Sequence, residues 1–254
     1  MNTRRKRGRF RASALLLAIG ALAACFGTPE ASAKVRAGTA RVSSELKGLK
    51  WGATVTGILA RYQGQIEASY AKRLAGISDP LTMDRIRRDR DDEIALLAKR
   101  VVKLDGARTR YAVSAIEGEF RLNNGEEVFV APVIEATQNY FLFRHQALFK
   151  VVVVHRLGER AKRLAFTEFI DGLKRVYGKP RQFEYAGADE SEITAAEWSD
   201  GATRLIARDK SDVFLAYLVV LADERERAAS LGREAAPAAS TTDDAYDELS
   251  GKKR

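Results

Sequence analysis

The sequence predicts an α+β domain in which a long αα-hairpin and one further helix pack on an antiparallel β-sheet. Three observations lead there. Between Thr54 and Leu104 apolar residues recur at helical spacing, broken once at Ser78-Asp79-Pro80. From Thr109 the period becomes two, with turn signals at Asn123-Asn124-Gly125 and around His145. A second helical stretch, Lys162–Tyr177, stops at Gly178 and Pro180, and turn-linked apolar segments follow it. Helices, then hairpins, then one helix and a meander belong to the α+β class.

In the first helix Val55, Ile58, Leu59, Tyr62, Ile66, Tyr70 and Leu74 share a face, and Thr54 or Thr56 can cap its start. Asp79 and Pro80 suit the N-cap and first position of the second, which is expected to run to about Leu104 with Ile94, Leu97, Val101 and Leu104 on one side. Its first half is charged. Arg85/Asp89, Arg87/Asp91 and Arg88/Asp92 stand four apart and can pair along a solvated face. Each helix would be ~35 Å long against the ~20 Å of an average strand, so the tip at 78–93 should project beyond the sheet.

Arg110–Ile116 alternates like a strand, and Glu127-Val128-Phe129-Val130 can be another. Asn139–Phe143 and Ala147–Leu157 read as a hairpin whose second member, rich in valine, is expected to be a central strand, the alternative being an aggregation-prone edge if unpaired. Ile193–Ser199, Ala202–Arg208 and Val213–Ala222 complete the sheet, and 223–233 reads as a short charged helix. One domain over 45–225 accommodates these elements, followed by a tail over 226–254 that is expected to be disordered.

Residues 1–24 carry a different pattern. Arg4, Arg5, Lys6, Arg7, Arg9 and Arg11 precede a thirteen-residue apolar run, Ala12–Ala24, with no acid among them. That run is shorter than the ~20 residues needed to span a bilayer. Cations, a short apolar core and small residues after it form the signal-peptide pattern. Two cleavage sites compete: Leu22-Ala23-Ala24-Cys25, which resembles a lipobox with Cys25 as the lipid-bearing first residue, and Ala31-Ser32-Ala33 before Lys34. Cys25 is the only cysteine in the chain, so no intramolecular disulfide can form. With lipidation at Cys25, residues 25–44 would be a flexible tether to a membrane surface.

The formal charge of +9 resides mostly in that leader; without its six cations, 37 Lys/Arg face 34 Asp/Glu. No basic stripe with interleaved aromatics accompanies the charge, so nucleic acid is not an expected partner.

Leu49–Thr54, the pair Asn139–Phe143 and Leu148–Val151, and Val176–Pro180 with Trp198–Thr203 resemble recurrent features of uncharacterised bacterial exported proteins and lipoproteins with a helix-pair-on-sheet domain. The resemblance spans residues 49–222. It implies the fold and an envelope address, and it transfers no functional residues because those relatives carry no assigned reaction.

The catalytic inventory is sparse. His145 and His155 fall near opposite ends of one hairpin, which separates them as ligands. Glu117 and Glu119 flank Gly118 and read as solvated turn acids. Asp89, Asp91, Asp92 and Glu93 lack the glycine of a calcium loop. Gly48, Gly52 and Gly57 do not make a phosphate-cradling loop. No cofactor or metal is expected. The expected function is a non-enzymatic envelope protein, tethered through Cys25, that binds another protein or the envelope. A periplasmic small-ligand-binding module and a carboxylate-based envelope hydrolase are the alternatives. An apolar patch on the hairpin would favour the first, a closed apolar cavity the second, and a pocket of converging titratable groups the third.

Overall fold

The computed structural model describes residues 40–106, 109–158, 165–186 and 192–226. Eight strands form one antiparallel sheet: β1 (Val101–Lys103), β2 (Glu126–Val130), β3 (Thr137–Arg144), β4 (Ala147–Arg156), β5 (Gln182–Ala186), β6 (Glu192–Ser199), β7 (Thr203–Lys210) and β8 (Ala216–Asp223). Their order is β1-β2-β3-β4-β8-β7-β6-β5, with every neighbour antiparallel. Two four-stranded meanders are therefore joined through their last strands, β4 against β8. The first meander follows the helical hairpin α1 (Val55–Leu74) and α2 (Pro80–Lys99); the second follows α3 (Phe166–Tyr177). A single turn, α4 (Ser211–Phe214), links β7 to β8.

The caps are those the residue types favour. The Thr54 hydroxyl accepts from the Gly57 N–H at 3.2 Å, and the Asp79 carboxylate accepts from the Thr82 N–H at 2.8 Å with Pro80 next in line. In α1, Ile58, Tyr62, Ile66 and Tyr70 are buried. Tyr62 meets the sheet edge-on at Phe129 (5.2 Å) and Phe141 (5.9 Å). α3 buries Phe166, Phe169, Ile170, Leu173 and Tyr177 over β4, β8 and β6. These helices cover one face. On the other face Val128, Leu142, Val152, Leu218 and Val220 pack with Leu104, Tyr111 and Ile116 from the long β1–β2 connection. The run Val151–Val154 thus buries alternate side chains on both faces, as a central strand must.

Several expectations are corrected. α2 ends at Lys99, and Val101–Lys103 is strand β1 rather than a last helical turn. Two adjacent β-branched valines lose side-chain freedom in a helix and fit a pleated edge. That strand occupies the place beside β2, so Arg110–Ile116 forms turns despite its alternation. Ser114 Oγ donates to the Tyr111 carbonyl at 2.8 Å, and the Glu117 N–H to the Ser114 carbonyl at 2.9 Å; these local bonds replace a ladder. β5 adds a short edge strand with an irregular burial pattern to the strands expected from the sequence. The ion pairs in the charged stretch are Arg87–Asp84 and Arg90–Asp91 rather than the three four-apart pairs. Most of residues 223–233 lie outside the described residues, as do 1–39 and 227–254.

The segment assigned to the tether is part of the fold from Ala40 onward. A short 3₁₀ turn at Val42–Leu46 buries both its end residues. The Ala40 N–H donates to the Val176 carbonyl at 3.2 Å, and the Ser43 N–H to Asp200 at 2.8 Å. Burial alone would raise the Asp200 carboxyl; bonds from Ser43, Thr203 and Ala202 outweigh it and hold its pKa below the usual carboxylate value. Tyr177 donates to Glu45, and desolvation, with that carboxylate beside it, pushes the phenol pKa up.

His155 lies on the helix-covered face of β4, 5.6 Å from the Phe169 ring. Desolvation pulls its pKa from 6.5 down to about 4. Between those values the unfolded chain binds a proton that the folded one refuses. Stability is therefore full above pH 6.5 and falls as pH drops toward 4, by at most ~3 kcal/mol. Urea midpoints at pH 7 and pH 4.5 should separate more for the wild type than for His155→Leu. Equal losses in both would assign the acid sensitivity to carboxylates instead.

Candidate functional site

On the face without helices, a cleft of about 290 Å³ opens over β4, β8 and β7 beneath the 117–121 turn. Strand register explains its composition. Lys150, Ala222 and Arg204 align in one row across β4, β8 and β7. Val152, Val220 and Ile206 align in the next, and Val154, Leu218 and Arg208 in the one beyond. Side chains two apart share a face, so two arginines flank Ile206 on one strand. The single methyl of Ala222 leaves a slot between Lys150 and Arg204. Phe149, Ile206 and Val220 supply apolar lining.

Charges ring this floor in pairs. Glu119 reaches down from the connection to Lys150 Nζ at 3.2 Å and Arg208 Nε at 3.4 Å, and its backbone carbonyl accepts from the same lysine at 2.6 Å. Arg204 pairs with Glu197, and that hydrogen bond raises the guanidinium pKa. At the rim Arg144 pairs with Glu126 at 2.8 Å and Glu226 at 3.2 Å, and its guanidinium stacks 4.4 Å over Phe149. The Glu126 carboxylate also accepts from Asn124 Nδ2 and the Arg121 N–H, each at 2.8 Å. The Nε–H donors of Arg204 and Arg208 are closed off from solvent without an aligned acceptor. Such buried donors are uncommon.

The residues singled out from sequence distribute as follows. Glu119 enters the cleft with its side chain 11% exposed, so it is not the solvated turn acid expected. The backbone turn that aims it needs Gly118, which sits at φ +84°. Glu117 is exposed. His145 and Gln146, at φ 50° and 65°, form the β3–β4 turn; His155 lies at the other end of that hairpin. Asp89, Asp91 and Asp92 stay on exposed turns of α2. On the hairpin Leu81 and Leu96 are exposed large apolar residues, at 80% and 48%. Fifteen positions apart on a helix, they do not make a contiguous apolar patch. Cys25 lies outside the described residues. Among the described residues no cluster of three or more His, Cys, Asp or Glu is placed to hold a metal ion, and no helix is long and apolar enough to cross a membrane.

The cleft residues that sequence reading passed over are Arg144, Lys150, Arg204 and Arg208. Their signal is faint: the polar member of an alternating strand, as in Arg204-Leu205-Ile206-Ala207-Arg208. Comparison with family models, curated proteins and solved structures finds no match to this chain.

Proposed function

We propose that this chain is a non-enzymatic cell-envelope protein, exported by its leader and tethered through lipid on Cys25, which acts by binding at the cleft on the helix-free face. The observation that carries the binding role is the cleft's construction. Lys150, Arg144, Arg204 and Arg208 are held in ion pairs around an apolar floor, the layout of a recognition surface in which a few placed polar groups orient an occupant. The address rests on the basic leader, the short apolar run and the single cysteine at its end. A soluble periplasmic ligand-binding module is the second reading, favoured by the Ala31-Ser32-Ala33 cleavage pattern.

Intact-mass measurement of the mature protein separates the two. The tethered reading predicts a chain beginning at Cys25 with a diacylglyceryl-type addition, lost in Cys25→Ser. A mature chain beginning at Lys34 refutes the tether. Recovery of the whole chain from cytosol, Met1 and leader included, refutes export itself.

A further inference from the structure

We propose that the cleft takes an amphipathic anion, a carboxylate or phosphate head on a short apolar chain, whose head replaces the Glu119 carboxylate between Lys150 and Arg208. This rests on the reading of the cleft as a binding surface and adds the chemistry of the occupant.

Glu119 already marks a place for an anion. Its carboxylate bridges a cation on β4 and another on β7, spanning the sheet row that holds Val220 and Ile206. It fills that place imperfectly. At 3.4 Å its contact with Arg208 Nε leaves that donor without an aligned hydrogen bond. A buried charged donor left without an acceptor is costly. A free oxyanion, not held by a backbone, can present two oxygens to the planar guanidinium fork, the geometry arginine favours for carboxylates and phosphates.

The surroundings suit the exchange. Glu119 sits on a run of turns with no strand ladder, directly after Gly118 in the left-handed region, so its displacement breaks no sheet pairing. Five of the residues lining the cleft are cationic and four acidic. Once Glu119 swings out, Lys150 loses its carboxylate partner and Arg208 keeps only Glu184, at 3.6 Å from Nη1, which leaves Lys150 Nζ and Arg208 Nε–H facing the incoming head. Phe149, Ile206 and Val220 then receive the apolar chain.

Calorimetry of the full chain bearing Cys25→Ser tests this, with octyl phosphate below its micellar concentration as the probe. Inorganic phosphate is the head alone and octyl glucoside the tail alone. Saturable 1:1 binding of octyl phosphate is expected, weaker for either part. Glu119→Gln should tighten it roughly tenfold by removing the internal competitor, whereas Arg208→Lys, which keeps charge but loses Nε–H, should weaken it roughly tenfold. A purely structural ion pair cannot move the two affinities in opposite directions. Circular dichroism and urea midpoints confirm that each variant is folded before titration. Flotation with phosphatidylglycerol vesicles identifies the source: flotation lost in Arg208→Lys assigns a lipid headgroup, and octyl phosphate binding without flotation assigns a soluble amphiphile. Weaker or unchanged binding in Glu119→Gln overturns the proposal. Octyl glucoside binding as tightly as octyl phosphate also overturns it, yet leaves the cleft as a binding surface. No heat from any probe overturns both.

Discussion

Phe129→Ala is expected to destabilise the domain by about 3–5 kcal/mol, the usual result of truncating a fully buried aromatic ring. Phe129 is 0% exposed, stacks on Phe141 at 5.9 Å and receives Tyr62 edge-on at 5.2 Å. It also pairs in register with Phe141 on β3 and Val101 on β1. The ring is thus where α1, β1, β2 and β3 meet, and the cavity left by alanine cannot collapse without moving a helix or unpairing a strand. Since small domains are stable by only ~5–15 kcal/mol, the variant should unfold at much lower urea. Val113→Ala, at a side chain 84% exposed, should stay within about 0.5 kcal/mol of wild type. A Phe129→Ala loss below about 1 kcal/mol would mean that the hairpin does not pack on the sheet as described.

The second large effect concerns charge. Arg144→Met should cost about 2–4 kcal/mol, because it leaves the Glu126 carboxylate, with a side chain only 1% exposed, without its guanidinium. The value sits below that of a fully buried pair: Arg144 keeps 17% of its side chain in solvent, and Asn124 and the Arg121 N–H still donate to Glu126. The double variant Arg144→Met/Glu126→Gln should lose less than the sum of its single losses, since the second change removes the charge that the first one strands. Strict additivity in urea unfolding would show that the two side chains do not interact.

Much of the architecture was legible because local chemistry and global fold agree. Thr54, Asp79 and Pro80 announce helix starts, Gly178 and Pro180 a helix stop, and Val151–Val154 a strand buried on both faces. Errors arose where a pattern has two physical readings. Val101 continues the helical spacing of Ile94 and Leu97, but its β-branched neighbour and the open edge beside β2 draw it into a strand. Tyr111 and Ile116 are buried on a coil, where alternation need not mean extension. The cleft was the least legible part. Lys150 and Arg204 stand in one row only because β8 inserts Ala222 between them. Those residues are more than fifty positions apart, and periodicity shows which side chains share a face without showing which strands become neighbours. Glu119 looked solvated because nothing nearby in sequence announces the lysine and arginine it meets.

On the helix-free face, the Nε–H groups of Arg204 and Arg208 are buried without an aligned acceptor, the feature that an anionic occupant would answer. The most direct measurement is the arginine Nε–Hε correlation spectrum of the labelled protein during titration with octyl phosphate. The Arg208 resonance is expected to shift saturably and to become slower to exchange with water. An Arg208 resonance that holds its position through a titration that saturates elsewhere on the protein would contradict it.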